Sequence, residues 1–158
     1  MRLLFSFSLV LFFATTSIGQ SFTLPELIKM SKMDTESFDT YVTTKDFVYS
    51  SSDKDDNYSG VTYAFEVSKI DITKASKFIT LYQSFFDKKY SISYQTSNKK
   101  EYLNIKNQVK VLGFKLVNSE IFNKDEITSN HFEYRKGKAK IDLYATPTFF
   151  EIGYYVSY

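Results

Sequence analysis

The order of apolar and polar residues divides this chain into three kinds of segment. The first is an apolar run from Leu3 to Ala14, interrupted only by Ser6 and Ser8. Arg2 precedes it, and Ser17 and Gly19 place small residues at the −3 and −1 positions of a cut before Gln20. A basic start, a short apolar stretch and small residues before a cut are the parts of a secretory signal peptide. The run is shorter than the roughly 20 residues that span a bilayer. Residues 1–19 are thus expected to be removed on export, leaving no transmembrane segment. No Cys follows the run, so a lipoprotein anchor is excluded.

The second kind repeats with a helical period. Thr23, Pro25 and Glu26 have the spacing of a capping box, with Pro tolerated in the first turn, where its missing N–H has no partner to lose. Phe22 and Leu27 flank the cap as a hydrophobic staple, and Leu24, Leu27, Ile28 and Ser31 share a face. Asp34 caps a second short helix carrying Phe38, Tyr41 and Val42. Asn98 and Glu101 form a cap pair for a third, with Tyr102, Ile105, Val109 and Leu112 on one side and Gly113 at its end.

The third kind alternates strictly. Val61, Tyr63, Phe65 and Val67 alternate with more polar residues, as do Tyr90, Ile92 and Tyr94, then Ile141 and Leu143, then Phe150, Ile152, Tyr154, Val156 and Tyr158. Period two predicts strands with one buried and one open face, the habit of antiparallel sheets. Asp53–Gly60 and Lys136–Lys138 read as connections. Residues 20–158 are expected to form a single α+β domain, with helices packed on one face of an antiparallel sheet of about eight strands.

The two halves also match in order. Phe38, Val42 and Phe47 correspond to Ile105, Val109 and Phe114 at an offset of 67, as Phe65-Glu66 does to Phe132-Glu133. Ile79–Tyr82 corresponds to Ile141–Tyr144 at 62, and Tyr90, Ile92 and Tyr94 to Phe150, Ile152 and Tyr154 at 60. Two tandem helix-plus-four-strand repeats are expected, over about 22–96 and 97–158. This element order resembles the β-lactamase-inhibitor-protein fold. The resemblance implies a secreted protein with helices behind the sheet and an opposite, concave face that grips a protein partner. The family's cysteines are absent here, so neither its disulfides nor its target carries over.

Composition adjusts this picture at three points. The chain has no Cys but 13 Tyr and 16 Phe, so aromatic packing rather than disulfides must support it. Abundant Lys, Asn, Ile, Phe and Tyr, with a signal cut before Gln, resemble exported proteins of the Bacteroidota. Without the leader, 19 basic residues face 18 acidic ones, which argues against a nucleic-acid partner. Residues 20–70 are net acidic and 71–158 net basic.

Candidate chemistry is sparse. If the alternating apolar residues face the helices, the open face carries Thr62, Glu66, Tyr82, Ser91, Ser93, His131, Glu133, Arg135, Asp142, Tyr144, Glu151 and Tyr155. Tyrosine among charges suits recognition, because Tyr buries much area and keeps a hydroxyl. Tyr82, Tyr144 and Tyr155, oriented by Glu66, Glu133 and Arg135, are the expected binding residues. Asp53–Gly60 has oxygen-bearing side chains at calcium-loop spacing, but Tyr58 stands where Gly is required and Ala64 where the bidentate Glu belongs. His131 and Glu133 are expected to be a surface polar pair. No P-loop, dinucleotide fingerprint or nucleophile motif is present, and no metal or cofactor is expected. Asn57-Tyr58-Ser59 is a glycosylation sequon by letter. The expectation is an exported, periplasmic or extracellular, non-catalytic binding module for a protein or cell-envelope polymer. The alternative is a periplasmic carrier of a small apolar ligand held between helices and sheet.

Overall fold

The computed structural model describes residues 21–66, 75–86, 89–124 and 127–156. The expected leader over 1–19 lies outside them, as do Val67 and the last two residues of the chain. Three helices are present: α1 (Leu24–Met30), α2 (Thr35–Thr43) and α3 (Lys99–Val111). Eight strands accompany them. The first four are β1 (Val48–Lys54), β2 (Tyr58–Phe65), β3 (Lys77–Ser84) and β4 (Tyr90–Thr96). After α3 come β5 (Lys115–Lys124), β6 (Ile127–Lys136), β7 (Ala139–Ala145) and β8 (Phe150–Val156). They form one antiparallel sheet in the order β1-β2-β3-β4-β8-β7-β6-β5. Two four-stranded meanders therefore meet at the β4–β8 seam, and α3 carries the chain from the central strand β4 to the far edge β5.

Helix starts follow the local chemistry. The Thr23 hydroxyl accepts from the Glu26 N–H, and the Glu26 carboxylate accepts from the Thr23 N–H at 2.8 Å. Phe22 and Leu27 are both buried, as a staple requires. Asp34 caps α2 through the Ser37 N–H. At α3 the expected reciprocal pair is half made. Asn98 accepts from the Lys100 and Glu101 N–H groups, but the Asn98 N–H donates to the Thr96 hydroxyl instead of to Glu101. Glu101 points inward, where its carboxylate accepts from the Tyr94 hydroxyl at 2.6 Å and the Thr96 hydroxyl at 3.0 Å, with the Lys77 ammonium 3.4 Å away. Glu101 and Lys77 are 7% and 5% exposed, so this is a buried ion pair joining α3, β4 and β3. Burial, then the Glu101 charge, pushes the Tyr94 hydroxyl pKa far up. Gly113, at φ +80°, ends α3, and the Lys136 ammonium caps the carbonyl of Leu112.

Register decides which face is covered. Tyr63, Ile79, Tyr94, Ile152, Leu143 and Phe132 lie opposite one another across six strands. Directly opposed residues project to the same side, so this row faces the helices together with Leu81, Ile92, Tyr154 and Ile141. Phe38 of α2 meets Tyr63 edge-on, Phe22 beside α1 meets Tyr94 edge-on, and Tyr102 of α3 stacks on Phe150. The helices thus seal one side of the sheet around its centre.

The expected connections are shorter than the sequence suggested. Asp53 and Lys54 belong to β1, and Tyr58 to Gly60 belong to β2, leaving a turn in which Asp55 accepts from the Asn57 and Tyr58 N–H groups. Between β6 and β7 the loop is Gly137-Lys138, with Gly137 at φ +56° in the first central position that such tight hairpins reserve for glycine. Both edge strands are irregular: the register shifts between Tyr49 and Ser51 in β1 and between Leu116 and Asn118 in β5.

Candidate functional site

The face away from the helices is built from three rows of side chains. The middle row runs Thr62, Thr80, Ser93, Gly153, Asp142, Glu133, Asn118. On one side lie Phe78, Gln95, Glu151, Tyr144, His131 and Glu120. On the other lie Gly60, Tyr82 and Ser91 in the first meander and Tyr155, Lys140 and Arg135 in the second. Parity therefore puts the expected open-face residues of the strands on one surface. Glu66 stands apart. It follows the end of β2 at φ +56°, is exposed, and accepts from the Ser76 hydroxyl.

A depression of about 470 Å³ straddles the seam on this face. Tyr82 of β3 and Tyr155 of β8 flank it, Ser91, Ser93 and Glu151 lie between them, and Tyr58 closes one end. The walls exist because Gly60 lies opposite Tyr82 on the neighbouring strand and Gly153 lies two residues before Tyr155 on the same strand. A Cβ at Gly60 would come within 3.0 Å of the Tyr82 ring, and one at Gly153 within 2.6 Å of the Tyr155 hydroxyl. Each ring thus lies down over a glycine instead of standing into solvent. Tyr58 meets Tyr82 edge-on at 5.7 Å between centroids. Glu151 accepts from the Ser93 hydroxyl at 2.7 Å and the Gln95 amide at 3.4 Å, and among the described residues it has no cationic partner. Burial, then the Glu151 charge, raises the Tyr82 pKa; burial, then Asp142 and Glu151, raises that of Tyr155. Both hydroxyls are therefore neutral at neutral pH.

The other predicted residues sit in a separate cluster on the second meander. His131 is not half of a surface pair with Glu133. It is 7% exposed, and its ring nitrogens pair with Glu120 at 2.9 Å and Asp142 at 3.0 Å. Asp142 also pairs with Lys140 at 2.7 Å. Glu133 instead pairs with Arg135, two residues along the same strand. Opposed pairs across β5, β6 and β7 bring Glu120, His131 and Tyr144 together in a way that spacing within one strand cannot reveal. Of the expected binding residues, the fold joins Tyr82 with Tyr155, gathers Tyr144, Glu133 and Arg135 on the second meander, and leaves Glu66 outside both groups.

Glu151, a residue with no special role in the sequence reading, lies at the centre of this surface. Its signal was only the polar position between Phe150 and Ile152. Among the described residues no group of His, Asp and Glu is arranged to hold a metal ion. No described helix is long and apolar enough to cross a membrane. The chain matches no family model, no curated protein and no solved structure.

Proposed function

We propose that this chain is an exported, non-catalytic binding module whose open sheet face engages a protein or cell-envelope polymer. The observation that carries this reading is the Tyr82–Tyr155 basin, where two tyrosines lie over glycines on either side of the Glu151 carboxylate, which accepts from Ser93 and Gln95 and has no cationic partner among the described residues. Recognition surfaces favour such anchors: large aromatic area, a hydroxyl that donates, and a charge that fixes orientation. The Tyr144, Glu133 and Arg135 cluster extends the same face. The leader over residues 1–19 directs the chain across the inner membrane, to the periplasm or beyond.

We further propose that the two meanders are copies of one unit, as in the β-lactamase-inhibitor-protein fold. The two register shifts support this, since Tyr49/Ser51 and Leu116/Asn118 both stand 67 apart, the offset of Phe47 and Phe114. Opposition of Ser93 with Gly153 fits a two-fold relation at offset 60, and their row holds Thr80 and Asp142, at offset 62. The pairing of Glu66 with Glu133 does not fit it, because Glu133 shares its row with Thr62.

Capture from a cell-envelope extract tests the reading. The protein is compared with Tyr82→Ala and Glu151→Gln variants of unchanged circular dichroism. Retention of a partner by the parent and its loss by both variants is expected. Equal retention by all three moves the site off this face and overturns the proposal.

A further inference from the structure

A second concavity lies on the opposite side of the sheet, a groove of about 620 Å³ between α3 and the second meander. Lys99, Tyr102, Leu103 and Lys106 line one wall, the i, i+3, i+4, i+7 stripe of a helix. Phe132 of β6 and Pro147 and Phe150 around the β7–β8 turn line the other. The volume falls within the about 300–1,000 Å³ of small-molecule sites.

Two polar groups here lack the partner that their chemistry calls for. The Lys106 ammonium lies 3.3 Å from the centroid of the Phe132 ring and 5.9 Å from that of Tyr102, and among the described residues no carboxylate pairs with it. Tyr102 is 3% exposed, yet its hydroxyl is the one buried side-chain polar atom with no hydrogen-bond partner among the described residues. Burying a hydroxyl unpaired costs stability, and nothing in the packing of Tyr102 on Phe150 needs the oxygen. Leu103, Phe132, Ala145, Pro147 and Phe150 make an apolar strip of the lining, and Thr128, Asn130 and Thr146 add polar positions beside it.

A cation that no described carboxylate neutralises, beside an apolar strip of wall, complements a carboxylate on a hydrocarbon body. We propose that this groove binds an amphiphilic carboxylate of the medium-chain fatty-acid kind. Lys106 takes the carboxylate, and the chain lies along Phe132, Pro147 and Phe150. The site is independent of the open face, since the sheet separates them. It gives the carrier alternative a specific headgroup.

Isothermal titration with decanoate and decan-1-ol, below micellar concentrations, tests this. Decanoate is expected to bind saturably and at least about tenfold more tightly than the alcohol, as a charge-assisted contact requires. Lys106→Met keeps the aliphatic stem and is expected to weaken decanoate about tenfold while leaving the alcohol unchanged. Tyr102→Phe, which removes a hydroxyl closed off from the groove, is expected to leave decanoate affinity unchanged while Tm holds or rises. Tyr82→Ala is expected to change neither ligand. The proposal is overturned by absent decanoate binding, by equal affinity for the alcohol, or by a Lys106→Met variant that binds decanoate like the parent.

Discussion

The His131 ring lies flat on the Tyr144 ring, with centroids 4.4 Å apart and planes within 8°. Phe122 flanks the same imidazole at 6.0 Å. Burial alone pushes the His131 pKa down, but hydrogen bonds to Glu120 and Asp142, and their charges, outweigh it and raise the net value. A raised folded pKa means that the protonated ring stabilises the fold. That contribution is fully present below the unfolded value of about 6.5 and is lost as pH rises through the folded one. Urea denaturation across pH 5.5–9 is expected to show stability falling through the upper part of this range. His131→Gln is expected to flatten that component. A parent profile no steeper than the variant's refutes the assignment.

Tyr155 and Gly153 make a second pair whose removal has a readable consequence. Adding a Cβ at Gly153 places it 2.6 Å from the Tyr155 hydroxyl, so Gly153→Ala must lift the ring. The obstructing atoms are the far end of a side chain, so the ring can swing without moving the sheet. A destabilisation of about 1 kcal/mol is expected, in the range of lost aromatic coverage. Partner capture at the open face is expected to fall by more than the stability change explains. Capture unaffected by a displaced Tyr155 removes that residue from the binding surface.

These relationships also mark what the sequence made legible. Strands β2, β4, β7 and β8 announced themselves because each is covered on one side and open on the other, so burial imposes period two on the residues. The edge strands β1 and β5 gave no such signal. Leu116 and Ile121 of β5 are exposed although they face the helix side, because no helix reaches that edge. The basin was half legible. Parity put Tyr82 and Tyr155 on one face, but their meeting depends on β8 returning beside β4, a connection that local periodicity does not encode. Lys77 and Glu101 were illegible for a further reason: a charged residue in a polar context reads as exposed, and a partner distant in sequence is what makes its burial tolerable.

That buried pair supplies a stability prediction. Glu101→Ala removes a buried carboxylate 3.4 Å from the buried Lys77 ammonium and the acceptor for Tyr94 and Thr96. A loss of about 3–5 kcal/mol is expected by equilibrium urea denaturation. Lys77→Met with Glu101→Gln removes both charges and is expected to recover most of it. A double variant as unstable as Glu101→Ala alone argues that hydrogen bonding, not charge, governs this position.

Acid sensitivity should originate at the first helix. Burial opposes ionisation of Glu26, but the hydrogen bond from Lys45, then those from Thr23 and Tyr41, dominate and hold its pKa down to about 2. The lowered folded value means that the ionised group stabilises the fold above the unfolded pKa of about 4.5, and that this is lost as pH falls toward 2. The interval corresponds to roughly 3 kcal/mol, and partial exposure of the carboxylate trims it to about 2 kcal/mol. Glu26→Gln keeps an acceptor for the Thr23 N–H but not the charge that holds Lys45 at 2.8 Å. The parent is expected to lose stability between pH 5 and 2.5 more steeply than this variant, while the two differ by a constant amount at neutral pH. Parallel profiles through the acid range place the sensitive carboxylate elsewhere, and Asp34 at the α2 cap, whose pKa is lowered by the Ser37 N–H, is then the next group to replace.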